Sequence, residues 1–292
     1  MSEAMRIRQT AVAGTWYPGS AGALTREVDD CLEGTPADAL DWTPSAIVAP
    51  HAGIMFSGPV AAHAYRAASR GDVEVIFLAG PSHYVGFEGV SVWPDGAFAS
   101  PLGQHPVDSR GAADIMRNPV ARDMPSAHAR EHSLEMQLPF IGRLLPGVPI
   151  VPIVMGRQER ATIEALAEAL AYAASGRRAL LVASTDLSHF FDAERAATLD
   201  GRVQAFVNTF DPDGLLALFE DYPEGERGRY VACGGGPAIS VMLAARELGA
   251  REGRVLKYGH SGEISGDNAC VVGYLAAAFG PAETPVDDDD AD

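Results

Sequence analysis

Three short apolar segments, each followed within a few residues by a histidine, constrain the fold of this chain more than any other feature. They lead to His51, His83 and His189, and proline, glycine or serine interrupts each segment before its histidine. Continuous apolar runs of this length are typical of parallel strands that helices bury on both faces. Since ligands bind beyond the carboxyl ends of such strands, we expect the three histidines at one edge of a sheet.

The segments between these strands favour an α/β fold. Residues 159–174 have apolar positions at helical spacing, and helices are also predicted over 131–145 and 238–248. Prolines within the apolar run 149–155 indicate an edge strand or an irregular one. Strands that alternate with helices predict a sandwich in which helices flank a largely parallel or mixed central sheet. We expect one domain over residues 1–280 and an acidic, disordered tail over 281–292.

Composition excludes several classes of partner. The 292-residue chain has a formal net charge of −17 with 22 lysines and arginines. Nucleic acid and anionic membrane surfaces both require clustered positive charge, so neither is an expected partner. No apolar run reaches the length of a membrane span, and the first residues lack the apolar core of a signal peptide. Three cysteines without a C-x-x-C pair are typical of a reducing compartment, so we expect a cytoplasmic protein.

His51 and His83 follow equivalent strand ends, and neutral imidazole is the commonest metal-ligand type. The alternative is that each ring hydrogen-bonds a loop carbonyl. For one isolated histidine that alternative is favoured; two histidines at equivalent positions make the hypotheses about equal.

Cys233 precedes a run of three glycines that opens a predicted helix. A helix N-terminus lowers a thiol pKa and favours the thiolate, which is the nucleophilic and metal-binding form. The residue is therefore a candidate metal ligand or nucleophile, and an inert core thiol is the third interpretation. The glycines favour close backbone approach to a ligand over packing.

Asp186 and His189 lie three residues apart beyond the third strand. A carboxylate that orients an imidazole is a common acid–base unit near neutral pH. The alternative is that Asp186 caps a helix whose first turn contains His189.

The segment from His128 to His132 matches H-x-x-E-H, the inverted zinc-peptidase pattern. On one helix, the two histidines would share a face beside Glu131. A five-residue match occurs by chance, and a loop before the helix would separate the two rings. The alternative is that Glu131 and His132 contribute to the cleft that His51 and His83 line.

Taken together, these residues resemble the Memo family over nearly the whole chain, to about Phe279. Six motifs in one order carry the resemblance: Gly14-Thr15-Trp16-Tyr17-Pro18, Ala49-Pro50-His51-Ala52-Gly53, Gly80-Pro81-Ser82-His83, Glu131-His132-Ser133-Leu134-Glu135-Met136-Gln137-Leu138-Pro139, Ser184-Thr185-Asp186-Leu187-Ser188-His189 and Cys233-Gly234. The family includes the bacterial and archaeal AmmeMemoRadiSam system protein B.

The resemblance implies a fold similar to the class III (LigB-type) extradiol dioxygenases, which use non-haem iron. It implies His51, His83 and Cys233 as metal ligands, with His189 and Asp186 as the further cleft residues. Iron or copper, about one per chain, is the implied cofactor, and zinc is a third candidate. The dioxygenases have a carboxylate where this chain has Cys233, a departure that puts ring cleavage in doubt.

Our leading hypothesis is a metal-binding protein with a redox or oxygen-dependent role, in which His189 transfers protons and Asp186 orients it or contacts the ligand. Trp16, Tyr17, Glu131 and His132 are expected around the cleft, which would accept a small molecule or a peptide. The resemblance adds an AMMECR1-type protein and a radical SAM protein as expected partners. The alternatives are a non-catalytic peptide- or protein-binding module, and hydrolysis through Cys233 with His189 as base.

Overall fold

A mixed nine-stranded sheet forms the centre of the computed structural model, which describes residues 5–36 and 39–281. The strands are β1 (Ile7–Arg8), β2 (Ala46–Ala49), β3 (Val75–Pro81), β4 (Val90–Val92), β5 (Ala97–Ser100), β6 (Gly103–Pro106), β7 (Ala121–Arg122), β8 (Ile150–Met155), β9 (Ala179–Ser184), β10 (His189–Phe191), β11 (Glu252–His260) and β12 (Val271–Gly280). In the large sheet the order is β10-β12-β2-β9-β3-β8-β4-β7, and β11 pairs with β12. A separate small sheet has the order β1-β5-β6.

Helices cover both faces of the large sheet. They are α1 (Ala21–Glu33), α2 (Ile54–Ala68), α3 (Ser109–Ile115), α4 (Pro125–Ala129), α5 (Leu138–Leu144), α6 (Arg160–Ala174), α7 (Ala193–Asn208), α8 (Pro212–Glu220), α9 (Glu224–Tyr230), α10 (Gly235–Glu247) and α11 (Gly262–Ser265), with one 3-10 turn at Glu135–Gln137. Helices α1, α2 and α5 pack on one face, and α3, α6, α7, α8 and α10 pack on the other.

The four central strands are parallel and buried, as their apolar sequences predict. β2, β9, β3 and β8 are neighbours in that order, and each pairs in parallel with the next. Alternate residues of these strands belong to the two hydrophobic clusters, one on each side of the sheet. The predicted α/β sandwich is therefore confirmed, with antiparallel neighbours β12 and β4 outside the parallel centre.

Two local predictions are wrong. The prolines of the run 149–155 do not place β8 at an edge, because β8 lies between β3 and β4. The predicted helix over 131–145 begins only at Leu138, after turns and the 3-10 segment. Among the described residues, none of the helices has both the length and the apolar composition to cross a membrane. The predicted acidic tail lies outside the described residues, apart from position 281.

Candidate metal centre

The carboxyl ends of β2, β9 and β3 lie side by side and bring the three sequence motifs to one edge of the sheet. His51 follows β2, His83 follows β3, and Asp186 follows β9 between them. This arrangement arises because three parallel strands in the order β2-β9-β3 all end on the same side.

Three imidazoles and one thiol converge there. One ring nitrogen from each of His51, His83 and His132 lies within 4.8 Å of the other two. The Cys233 sulfur lies 3.2 Å from Nε2 of His51. His51 and His132 are buried, whereas 27% of the His83 side chain is exposed, so the group is open to solvent on the His83 side.

Glu131 orients His83. Its Oε1 lies 2.8 Å from Nδ1 of His83, and its Oε2 accepts the His83 backbone N–H at 2.6 Å. The Ser133 N–H donates to the same carboxylate at 2.9 Å. A carboxylate accepts when ionised, so His83 Nδ1 carries the hydrogen and Nε2 is free to bind a metal.

Cys233 reaches the group through a close contact between its turn and the end of β9. The Cys233 N–H donates to the Asp186 carbonyl at 3.2 Å, and the Gly234 N–H donates to Thr185 Oγ1 at 2.8 Å. A Cβ added at Gly234 would lie 2.5 Å from the Ser184 carbonyl oxygen, so only glycine permits this approach.

The other two glycines of the run contact protein, in contrast to the prediction that they face a ligand. A Cβ added at Gly235 would lie 2.3 Å from the Phe219 ring, and one added at Gly236 would lie 2.7 Å from the Met155 sulfur. These two glycines allow α10 to pack against its neighbours.

The electrostatics of the group favour a thiolate. Burial opposes ionisation of the Cys233 thiol, but the imidazoles of His51 and His83 lower its pKa from 9.0 to about 6. Burial also opposes protonation of His83, yet Cys233 and Glu131 raise the pKa of that ring above its ordinary value. The thiolate is the form of cysteine that binds metals.

His132 is a neutral member of the group. Burial, together with the nearby His51 and His83, lowers its pKa to about 3. Its ring stacks on His83, with 4.3 Å between centroids, and lies against Trp16 at the same distance. Its Nδ1 is buried without a hydrogen-bond partner.

The donor set fits a transition-metal ion. Imidazole nitrogens and a thiolate are the ligands that iron, copper and zinc accept, and His132 offers a further ring nitrogen within reach. The expected set of two histidines and one cysteine leaves coordination positions for an exogenous ligand on the exposed His83 side.

Asp186 and His189 each form hydrogen bonds with the backbone. Oδ1 of Asp186 accepts the backbone N–H groups of His51, at 2.7 Å, and Ala52, at 3.3 Å. Nδ1 of His189 lies 2.7 Å from the Leu187 carbonyl oxygen, which therefore receives its hydrogen. Asp186 thus positions the His51 backbone. Burial raises the pKa of Asp186, and the nearby charge of His189 opposes that rise.

Tyr17, which was expected around the cleft, and His128, from the H-x-x-E-H pattern, both lie elsewhere. The Tyr17 hydroxyl is buried and donates to Glu135 at 2.5 Å, away from the imidazoles, whereas its neighbour Trp16 contacts His132. His128 packs against Trp93 with 5.6 Å between ring centroids. Because α4 ends at Ala129, His128 and His132 do not share a helix face, and the peptidase interpretation is wrong.

The sequence predictions missed three polar residues beside His51. Ser184 Oγ lies 2.9 Å from His51 Nδ1, and Gln137 Nε2 donates both to Ser184 Oγ and to the Pro50 carbonyl. The Ser133 carbonyl accepts from Ser184. All three occur within the quoted motifs, but their spacing carries no signal that distinguishes them from ordinary core residues.

A cleft of about 430 Å³ adjoins the group and is lined by both His83 and Cys233. Its walls include Arg157, Arg227 and Glu224. Its volume is in the range of small-molecule sites.

Comparison with known proteins identifies the family of the chain. The sequence profile of the Memo-like protein family matches residues 8–278. A MEMO1 family protein of Methanopyrus kandleri is 36% identical over 284 residues, which cover 93% of this chain and 98% of the relative. A MEMO1 family protein of Methanosarcina mazei is 38% identical over 275 residues, which cover 93% and 98%.

A solved structure supports the fold independently. The crystal structure of an uncharacterized Escherichia coli K12 protein matches with a TM-score of 0.54 and 14% identity, over 80% of this chain and 99% of that chain. At that identity the likeness concerns the fold alone. The profile match and the archaeal relatives extend over nearly the whole sequence, and on that basis the chain belongs to the Memo family.

Proposed function

We propose that this protein binds one iron or copper ion through His51, His83 and Cys233 and uses it in a redox or oxygen-dependent reaction. The observation that carries the proposal is the convergence of two oriented imidazoles and a low-pKa thiol at the open end of a cleft. A bound ion of this kind supplies electron transfer or Lewis acidity to a ligand in the cleft. Structural zinc sites are closed by four protein ligands, so the exposed His83 side favours a reactive or exchangeable metal over a structural one.

His189 is the proposed proton-transfer group. Because its Nδ1 hydrogen is donated to the Leu187 carbonyl, Nε2 of the neutral ring has a free lone pair that can accept a proton. Asp186 serves this reaction indirectly, since its carboxylate holds the backbone at His51.

The cleft favours a small anionic ligand. Arg227 donates to the backbone carbonyls of Tyr222 and Gln158, so these two hydrogen-bond partners carry no charge that would neutralise its guanidinium. The Arg157 side chain is 57% exposed, and its guanidinium is 3.9 Å from the Glu159 carboxylate, beyond a hydrogen bond. Arg157 and Arg227 place two positive charges on the walls, beside the carboxylate of Glu224.

Metal analysis after anaerobic purification tests the proposal. We expect about one iron or copper per wild-type chain, an absorption spectrum that changes on admission of oxygen, and no metal in the double variant His51→Ala/His83→Ala. His63→Ala is the matched control, because that half-buried histidine lies on α2 away from the group. Full metal retention by the double variant would exclude the assignment.

A second candidate function is a protein-binding module that uses the same cleft. Phe190 supports it: this bulky residue has a positive φ of 65°, and its side chain is 63% exposed beside His189. Such strained, exposed aromatics occur at binding sites. The AMMECR1-type and radical SAM proteins are the proposed partners. Co-purification with either one that survives His51→Ala/His83→Ala and is lost in Phe190→Ala would favour the module.

A further inference from the structure

We propose that Ser184, supported by Gln137, is a positioning residue that fixes the ring of His51 with its hydrogen on Nδ1 and its Nε2 directed at Cys233. The inference rests on the proposed metal-binding function only in its consequence, since the hydrogen-bond geometry exists without a metal. His51, Ser184 and Gln137 are all buried, so water does not offer substitute partners.

The orientation of the Gln137 amide follows from its neighbours. Its Nε2 lies 3.0 Å from the Pro50 carbonyl oxygen, which can only accept, so the amide nitrogen must face it. The Tyr65 hydroxyl donates to Oε1 of Gln137 at 3.0 Å. Nε2 therefore also donates to Ser184 Oγ, at 2.8 Å.

The hydrogen of Ser184 is likewise assigned. Its Oγ lies 2.6 Å from the Ser133 carbonyl oxygen, which again can only accept. A hydroxyl has one hydrogen and two lone pairs, and Gln137 occupies one of those lone pairs. The remaining contact, 2.9 Å from Oγ to His51 Nδ1, can only be a bond in which Nδ1 donates.

The consequence falls on the other ring nitrogen. With Nδ1 as the donor to Ser184, Nε2 is the ring nitrogen that faces the candidate metal centre, and it lies 3.2 Å from the Cys233 sulfur. Gln137 also holds the Pro50 carbonyl, so one side chain positions both the ring partner of His51 and the preceding peptide.

The two histidines are thus oriented by different chemistry. His83 donates to an ionised carboxylate, Glu131, whereas His51 donates to a neutral hydroxyl. Partners of this type fix the tautomer of a metal-binding histidine, and their loss typically lowers metal affinity about 10–100-fold.

Long-range ¹H–¹⁵N correlation spectra of the metal-free, full-length protein test the tautomer directly. We expect His51 Nδ1 to carry a proton in the wild-type protein and to lose that preference in Ser184→Ala, which removes only the hydroxyl. Ser184→Thr restores the hydroxyl and should restore the proton on Nδ1. Ser240→Ala is the matched control, because that equally buried hydroxyl donates to the Ile163 carbonyl and does not contact His51.

Metal titration supplies the second readout: Ser184→Ala should bind iron or copper about 10–100-fold more weakly than Ser240→Ala. A proton on Nε2 alone in the wild-type protein, or an unchanged tautomer in Ser184→Ala, would overturn the inference even if metal binds. If Nδ1 is protonated as expected and no metal binds to the wild-type protein, the tautomer assignment stands and the proposed function fails.

Discussion

The segment from His128 to Glu135 has two chemically similar faces that do different work. Glu131 and His132 belong to the candidate metal centre, where the carboxylate orients His83. His128 and Glu135 face the N-terminal segment: Arg8 pairs with Glu135 and donates to the His128 carbonyl. Each face contains one buried glutamate and one buried histidine, so residue type and burial do not separate a site from a structural anchor. The partners do.

The largest expected effect concerns the face that contains His128 and Glu135 and anchors the N-terminal segment. Glu135 accepts from Arg8, Tyr17 and two backbone N–H groups, and both members of the ion pair are buried. Glu135→Ala leaves the Arg8 charge buried without its partner, so we expect the free energy of unfolding to fall by about 3–5 kcal/mol.

Urea denaturation measures this loss, and metal content per folded chain should be unchanged. Glu164→Ala is the control, since its pair with Arg160 is half exposed and contributes less than about 1 kcal/mol. Equal destabilisation by the two variants would show that Glu135 is not an anchor.

The next effect concerns the other glutamate. Glu131→Gln removes the charged acceptor of His83 Nδ1, so we expect metal affinity to fall about 10–100-fold. The free energy of unfolding should change less than in Glu135→Ala, because the His83 ring that loses its partner is partly exposed, whereas Arg8 is buried. Competition with a metal chelator measures the affinity. Unchanged affinity together with a large loss of stability would show that Glu131 has a structural role like that of Glu135.

Protonation of His128 is expected to affect the free energy of unfolding. Burial lowers the pKa of His128 to about 3, below the unfolded value of 6.5. The folded state therefore favours the neutral ring: its stabilising contribution is complete above pH 6.5 and is lost as the pH falls toward 3. In that window the free energy of unfolding should fall by up to about 1.4 kcal/mol per pH unit from this group.

His128→Phe, which keeps an aromatic ring beside Trp93, should reduce that slope by about one proton between pH 6.5 and pH 4. Urea denaturation at a series of pH values checks it. The same experiment on His63→Ala should leave most of the slope, because His63 is only half-buried. An unchanged slope in His128→Phe would mean that this ring is not held neutral by the fold.

The smallest effect on stability is expected in the cleft wall. Arg157→Gln removes an exposed side chain, so the free energy of unfolding should change by less than about 0.5 kcal/mol, and metal content should not change. Succinate, a small dicarboxylate, serves as the probe for an anionic ligand. Its binding, measured by calorimetry, should weaken about tenfold in Arg157→Gln, as for loss of one hydrogen bond to a charged group. Arg160→Gln, which removes a surface partner of Glu220, should bind succinate like the wild type.

Much of the parallel sheet and the place of the site could be predicted from the sequence because the signals are local. An apolar run of four to seven residues that ends at proline, glycine or serine predicts both a strand and the position at which the strand ends. The resemblance of six motifs then supplied His51, His83 and Cys233 as a group, and the structure places the Cys233 sulfur 3.2 Å from His51.

Other features arise only from contacts between distant parts of the chain. The local pattern H-x-x-E-H left open both a helix with two histidines on one face and a loop that separates them. The bonds of Arg8 to the His128 carbonyl and to Glu135 hold this segment as turns. The prolines of the run 149–155 indicated an edge or irregular strand, yet β8 lies inside the sheet because β4 pairs with its other side.

The sequence by itself therefore determined the strand runs, the histidines at their ends and the family. The tertiary structure alone decided the strand order, the separation of His128 from His132, and the bond from Ser184 to His51, which joins residues 133 positions apart. The physical reason is that hydrophobic periodicity is a property of neighbouring residues, whereas the direction of a ring nitrogen depends on which distant donor or acceptor the fold brings within 3 Å of it.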